Sequence, residues 1–570
     1  MRLTNNKGIA LVISLLCVIV LLTLSSVFVL RTITEKKTAD QQARLTQAFY
    51  VTEGGAQAGL DQLKTLINEN LKDTVTAANP QVLGNKANSY VTSGDGVGFL
   101  IEFVKKQGVA QLTLNGTQAI YNVAATTLGN GNYTVTIIIT EKSNPVTVGV
   151  DQWDFPYYYR IQATGTVGST PRKAVLSGDF TVRVQKDNFA KFALFTDHHK
   201  LPSGTTVWFT NKTNFAGPVH TNELLSFAFN PSGTFDGAVT QQNTKARFFN
   251  NGSSILLDAD NNAPKDVPVF NAGFTRGVAQ IVLESSVQKA DLYLQARGGD
   301  STTPPNGIYV ANDGTALTGG IFVRGNATLT MSVDGSDNAI YTVTEGSTTK
   351  VITVDKVSNQ TTVNTVGSGA VTYQGQPDGL DDLGTIIYVD GTVNSFQGTV
   401  QKDTEVTLSS ENDIVIGSDV KYADYTPAVG LPGTTGYVPP SATGKTNLLG
   451  LISWGGNVRI GTMAPNNVNL HGIVMARGTQ GVFTVDNYNN TTVGPRGTAT
   501  LLGGVITQFY GAFGLFNSST GQQLSGYGRN FVYDDRAATG KSPPYFPTMK
   551  TFTAFTNDIT DKIVWQEGGF

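Results

Sequence analysis

The run Lys7-Gly8-Ile9-Ala10-Leu11-Val12-Ile13-Ser14-Leu15-Leu16 opens the stretch whose reading decides the fold. From Ile9 to Leu30 the chain carries no charge. At about 1.5 Å per residue, a helix of that length spans about 33 Å, which matches the hydrocarbon thickness of a bilayer. Arg2 and Lys7 precede the run, and Arg31, Glu35, Lys36 and Lys37 follow it. Positive charge at the front holds that end on the cytoplasmic side. A secretory signal would have a shorter apolar core closed by small residues at a cleavage site, and that pattern is missing after Leu30.

The helix is expected to continue to about Leu71. Ala39, Ala43, Thr46, Phe49, Ala56, Leu60, Leu63 and Ile67 recur at spacings of three and four and form one apolar stripe. The Gly54-Gly55 pair predicts a kink or a loosened turn.

Two features carry a family resemblance. Lys7-Gly8 sits directly before the apolar run, and residues 47–60 read Gln47-Ala-Phe-Tyr-Val-Thr-Glu-Gly-Gly-Ala-Gln-Ala-Gly-Leu60. Both resemble PilX-type minor type IV pilins over roughly the first 70 residues. The resemblance implies cleavage by a prepilin peptidase between Gly8 and Ile9, methylation of the new N-terminus, and retention of the helix as a filament stem. It also implies an inner-membrane, single-pass precursor that moves to a pilus or the cell surface, with other pilins as partners. Major pilins of this kind carry Glu at the fifth mature position, where this chain has Ile13. A carboxylate in lipid needs a partner, and the family's Glu is thought to find one in a neighbour's amine. Its loss points to a priming or tip subunit.

Composition bounds the remainder. The 570 residues exceed a single core. Sixty-three glycines and a charged fraction of 15% suit short strands joined by turns, while 40% hydrophobic residues exclude disorder. The one cysteine, Cys17, lies in the apolar run, so no internal disulfide can form. The net charge of −3 does not by itself call for nucleic acid.

Residues 99–186 read as antiparallel strands, with Gly168-Ser-Thr-Pro-Arg172 turning a hairpin. From about residue 190, short apolar runs alternate with Gly, Asn and Asp. Gly450-Leu-Ile-Ser-Trp454, Gly472-Ile-Val-Met-Ala476 and Gly504-Val-Ile-Thr-Gln508 are similar pentads, and Gly307-Ile-Tyr-Val310 and Gly320-Ile-Phe-Val323 are weaker relatives. A right-handed β-solenoid (β-helix) accounts for them, with a tandem of β-sandwiches as the alternative. The expected fold class is therefore mainly β with a long N-terminal α-helix, a pilin-like α+β module plus a large solenoid head. The expected divisions are a leader at 1–8, a transmembrane part at 9–30, an amphipathic part at 31–75, a pilin-like sheet at 76–190, a head at 191–550 and a C-terminal segment at 551–570. Residues 215–223, Phe215-Ala-Gly-Pro-Val-His-Thr-Asn-Glu223, also resemble head elements of PilX-type proteins, some of which carry a solenoid. One such protein is associated with competence.

Candidate sites follow from residue type. Between 201 and 440, 12 Lys and Arg stand against 23 Asp and Glu, whereas between 441 and 550 there are 8 against 3. Arg459, Arg477, Arg496, Arg529, Arg536 and Lys541, interleaved with aromatics, are candidate ligands for a polyanion such as DNA. Solenoid core and solvated turns are the competing reading. Asp258, Asp260 and Asn262 match the first ligands of a calcium loop, but Ala263 and Val269 stand where its Gly and Glu belong. A structural calcium there would be weak, and no other cofactor is expected. Asp197-His198-His199 with His220 is a candidate metal cluster, with exposed loop histidines as the alternative. No catalytic motif is recognisable and no enzyme activity is expected. The functional expectation is a tip-located minor pilin binding DNA, a surface or a surface glycan. A type II secretion pseudopilin and a surface-anchored carbohydrate-active solenoid are the alternatives.

Overall fold

The computed structural model describes residues 6–104, 112–149, 151–210, 213–228, 233–250, 253–260, 267–283, 286–432, 434–517, 522–557, 559 and 564–567. The chain divides into two compact units. One comprises Met1–Gln185 with Thr551–Phe570, and the other comprises Lys186–Lys550. The second unit is thus inserted in the sequence of the first, and residues 551–570 are part of the first unit rather than a separate tail.

In the first unit, helix α1 (Asn6–Thr65) is continuous over about 90 Å. Its front is long and apolar enough to cross a membrane, with a mean hydropathy of 2.8 and no buried residue in that window. There the hydroxyls of Ser14, Thr23 and Ser26 donate to carbonyls of the preceding turn, so they need no water. Length and composition fit a membrane anchor.

The rear half of α1 lies on an antiparallel sheet. Its buried stripe begins at Ala48 and runs through Val51, Thr52, Ala56, Leu60 and Leu63. Ala39, Ala43, Thr46 and Phe49, expected in the stripe, are exposed because the sheet begins to cover the helix only at Ala48. A π-helical turn (Leu66–Leu71) and helix α2 (Lys72–Ala77) then carry the helical path beyond the expected end.

Gly54 and Gly55 do not break α1. They let it approach the sheet. A Cβ on Gly55 would lie 2.9 Å from the Tyr133 ring, and one on Gly59 would lie 2.7 Å from both Ile161 and Val135. The sheet answers at Gly165, whose N–H donates to Thr52 Oγ1 at 3.1 Å. Side chains at these positions would push helix and sheet apart.

Helix α3 (Pro80–Ser93) begins with Asn79 capping Val82 N–H and Pro80 in the first turn, and it ends at Gly94 with φ 68°. Helix α4 (Gly96–Phe103) is capped by Asp95. Phe99, read from sequence as the start of a strand, sits in α4, because Gly94 and Asp95 stop one helix and start another before the apolar run. The sheet is built from β1 (Thr113–Asn115), β2 (Gln118–Leu128), β3 (Gly131–Glu141), β4 (Val146–Gly149), β5 (Gln152–Val167) and β6 (Thr170–Asn188). The hairpin between β5 and β6 turns at Gly168 and Ser169, with Val167 opposite Thr170. The order is β1-β2-β3-β5-β6, followed by the returning strand Thr548–Asn557. Val564–Glu567 also pairs with β6.

The second unit is dominated by parallel pairing. One ladder runs through Leu317–Arg324, Thr385–Asp390, Glu405–Ser410, Leu448–Ser453, Asn469–Ala476 and Pro495–Phe509. It continues, still parallel, into Leu194–His198, Val219–Thr221, Val239–Gln241 and Phe274–Arg276. A second parallel ladder joins Ala327–Val333, Val393–Val400, Ile414–Tyr422, Val458–Ile460 and Phe483–Val485. Register places one aliphatic residue over the next: Ile321, Ile387, Leu408, Leu451, Val474, Val505, Leu194, Val219 and Val239.

The adjacent residues face the other way and are covered as well. Phe322, Ile386, Tyr388, Ile452, Met475, Ile506 and Phe195 form a second core with Phe189, Phe192, Leu292 and Phe546. Burial on both faces explains why the pentads are continuous rather than alternating. Gly450 and Gly504 both lie beside Ile473, whereas Gly472 pairs with Gly503, so the middle pentad is displaced by one residue. Gly320 begins a ladder segment, but Gly307–Asn312 is an antiparallel neighbour.

Ladder order differs from chain order. The chain lays strands from Leu194 to Arg276 away from Pro495–Phe509, then must return to the far end at Leu317. The return includes helix α5 (Ser286–Ala296), not expected in a stretch read as almost without helical period. It descends the outer face. Asn222 binds Ile281, Arg477 binds the Leu283 carbonyl, Lys289 pairs with Glu411, and the Arg297 guanidinium lies 4.9 Å over the Phe322 ring.

In an isolated helix, Gly→Ala stabilises by about 1 kcal/mol. Gly59→Ala should instead cost this protein about 1–3 kcal/mol, because the methyl group has no room. Denaturant unfolding of the full chain checks this, and a more stable variant would refute the close-packing account.

Candidate functional site

The C-terminal ends of Leu194–His198, Val219–Thr221 and Val239–Gln241 bring Asp197, His198, His199, Asn222, Glu223, Gln242 and Asn243 to one edge of the ladder. Two arrangements arise there, one closed and one open.

The closed one centres on Asn222. Its Nδ2 donates to Asp197 Oδ1 at 2.7 Å and to the Ile281 carbonyl at 2.8 Å. Its Oδ1 accepts from Ile281 N–H at 3.0 Å and from His220 Nε2 at 2.9 Å. Both donors and both lone pairs are used. His220 is therefore the Nε2–H tautomer, with Nδ1 accepting from Thr240 Oγ1 at 2.8 Å. Gln508 donates to the other Asp197 oxygen. The His220 ring stacks on Phe195 with centroids 5.1 Å apart.

Three of the four histidines are buried, contrary to the exposed-loop expectation. His199 lies between the Phe209 and Tyr510 rings, and His471 accepts from Tyr422 N–H at 3.1 Å. Loss of solvation is the first cause that holds each one neutral. The pKa falls to about 3 for His199 and His471 and to about 4 for His220. Arg529 adds to the effect at His199 and Lys421 at His471, while the hydrogen bond that His220 donates to Asn222 opposes it at His220.

The open arrangement is a polar groove of about 670 Å³ at the same edge. His199, Thr206, Asn222, Glu223 and Ser226 line it together with Gln242, Asn243, Thr244 and Arg247. Glu223 is occupied by His198 Nδ1 at 2.8 Å and Lys200 Nζ at 2.6 Å.

Most of the candidate polyanion ligands are engaged within the fold. Arg459 joins Asp413 at 2.8 Å and Asp486 at 2.6 Å. Arg536, with 5% of its side chain exposed, pairs with Asp534 at 2.6 Å and donates to the carbonyls of Lys445 and Asn447. Arg496 donates to Gly461 and Ala464 carbonyls and lies 4.8 Å over Tyr527. Arg529 donates to the Tyr510 hydroxyl, Arg477 fastens the return segment, and Lys541 is exposed.

In the calcium-loop candidate, Asp260 is paired with Arg276, Asp258 is exposed and Asn262 lies outside the described residues. Among the described residues no group of three His, Cys, Asp or Glu is placed to hold a metal ion. His220 is turned into the Asn222 network rather than toward His198 and His199. Arg247 and the groove had no sequence signal, because the residues forming it come from separate turns.

A family described as a domain of unknown function (DUF4900) matches residues 154–243. That span runs from β5 through Val239–Gln241 and includes His199, His220, Asn222 and Glu223. No curated protein and no solved structure matches the chain.

Asn222→Asp keeps the shape of Asn222 but loses both donors and faces Asp197, so it should destabilise the protein by about 2–4 kcal/mol in denaturant unfolding at neutral pH. Acid should act through the histidines. They bind protons when unfolded near pH 6.5 but not when folded, so their contribution is intact above pH 6.5 and falls as the pH drops toward 4. Asp378, raised to about 6 by burial, works in the opposite sense over this window. The three histidines and Asp378 together should contribute a slope of about 2–3 kcal/mol per pH unit near pH 5, read as falling denaturant midpoints. Midpoints that stay level from pH 7 to 5 would contradict buried neutral histidines.

Proposed function

We propose that this chain is a pilin-like protein whose helical stem anchors it in the membrane before filament assembly and whose inserted unit is a β-solenoid head used for binding at a filament tip or cell surface. One observation carries the reading: the two halves of α1 have opposite environments. Its first half is apolar and exposed, and its second half is buried on an antiparallel sheet through Leu60, Leu63 and the glycines. A membrane anchor alone needs the first half but gives no reason for the same helix to continue into a packed domain. A stem that leaves the bilayer and packs beside like stems needs both.

The parallel ladders support the solenoid assignment of the head, because each strand contributes one residue to a continuous column. Ile13, in place of a carboxylate, supports a minor rather than a repeating subunit. The six basic residues give DNA binding little support, since Arg459 and Arg536 are neutralised and Arg477, Arg496 and Arg529 are hydrogen-bonded within the fold. The head's ligand is better sought in the groove at Asn222 and Arg247.

N-terminal sequencing of the protein from membranes and sheared surface material should give a start at N-methylated Ile9. Gly8→Glu should leave the leader attached and the protein in the membrane fraction. A mature chain beginning at Met1 beside an active prepilin peptidase would overturn the proposal.

A further inference from the structure

The groove at the strand ends has a chemistry of its own. Its two anionic and cationic neighbours, Glu223 and Lys200, are paired with each other, and Glu223 also holds His198. Arg247 is different. Its Nη1 donates to Thr206 Oγ1 at 3.0 Å, and no described carboxylate is within ion-pair distance. A guanidinium with a neutral partner and an open groove beside it is suited to a carboxylate brought by a ligand.

The remaining surface is rich in groups that both donate and accept. Gln242, Asn243 and Thr244 are exposed along one wall. Two groove-lining side chains are deeply buried and lack partners among the described residues: His199 Nε2, in a residue 3% exposed, and Ser226 Oγ, in a residue 1% exposed.

An aromatic surface adjoins it. Residues two apart in a strand share a face, so Phe249 follows Arg247 in Ala246–Asn250, and the Trp208 ring packs against Phe249. Their rings are 6.2 Å apart and perpendicular. Both side chains are only half-buried.

A guanidinium, a set of amides and hydroxyls, and half-buried rings together match one ligand class. A sugar lays its C–H face on an aromatic ring, offers hydroxyls that donate and accept, and, if acidic, presents a carboxylate. Nucleic acid would require a track of cations, and this groove has one with no charged partner. We propose that the groove binds a glycan bearing a carboxylate, a uronic or sialic acid type, with Arg247 holding the acid and Trp208 supporting the ring. This names the ligand class of the head's binding role and takes its biological setting from the pilin reading.

The full chain in mild detergent would be titrated calorimetrically with trigalacturonate and with sialyllactose, each beside its methyl ester. At least one free acid should bind in the micromolar to millimolar range, and its ester should bind at least about tenfold more weakly. Arg247→Gln should lose about tenfold or more, Arg247→Lys should lose less, and Trp208→Ala should weaken binding by several-fold. Unchanged thermal unfolding would show that the variants fold, and the acid-against-ester comparison needs no variant. No binding by either acid, equal binding of acid and ester, full binding by a folded Arg247→Gln, or equally tight competition by a DNA oligonucleotide would each overturn the proposal. Because the assay uses purified chain, its failure leaves the N-terminal processing result untouched.

Discussion

The second unit depends on a column of aliphatic side chains running from Ile321 through Leu408, Val474 and Leu194 to Val239. Each parallel strand contributes one residue, and each is held by the strand on either side. Parallel pairing also buries the opposite face, so a second layer must cover Phe322, Tyr388, Ile452 and Ile506. The return segment with α5 supplies part of that layer and at the same time solves a problem of connectivity. Strands at one end of the ladder are followed in sequence by strands at the other, so some length of chain must run back along the outside. Here it does so by covering apolar surface that would otherwise meet water.

A crossing segment carries backbone groups that need partners, and the ladder's side chains provide them. Asn222 pairs with both the N–H and the carbonyl of Ile281. Asp197 and His220 hold that amide in position, and Arg477 repeats the function farther along at Leu283. The polar residues in the outer layer therefore locate the covering chain, while the aliphatic residues of the column hold the strands together. The same strand ends that close over Asn222 on one side open into the groove on the other.

Much of this architecture was legible in the sequence. An uncharged run from Ile9 to Leu30 has few alternatives to a long apolar helix, and alternating β-branched residues in β3, β5 and β6 identify an antiparallel sheet. The continuous pentads pointed correctly to buried parallel strands. What escaped was information about partners. Gly54 and Gly55 could mark a bend or a close approach, and only the positions of Leu128 and Tyr133 decide which. Arg459 and Arg536 look like surface cations until their carboxylates, distant or nearby in sequence, are placed beside them. Phe99 fits either a strand or a helix, and the caps around it decided the matter. Three of the histidines were misread as exposed because turn-rich sequence around them concealed the side chains, distant in sequence, that bury them.

The placement of the second unit within the first has a consequence for biogenesis. The sheet that receives α1 includes Thr548–Asn557, which follows β6 in space but is separated from it in sequence by nearly the whole inserted unit. A ribosome delivers β1 to β6 well before that partner strand, with the second unit made between them. The edge of β6 must therefore be kept from pairing with other chains until the second unit has been made, a vulnerable interval in which an unpaired strand invites misassembly. A chain truncated within the second unit would therefore lack a strand of the first unit's sheet.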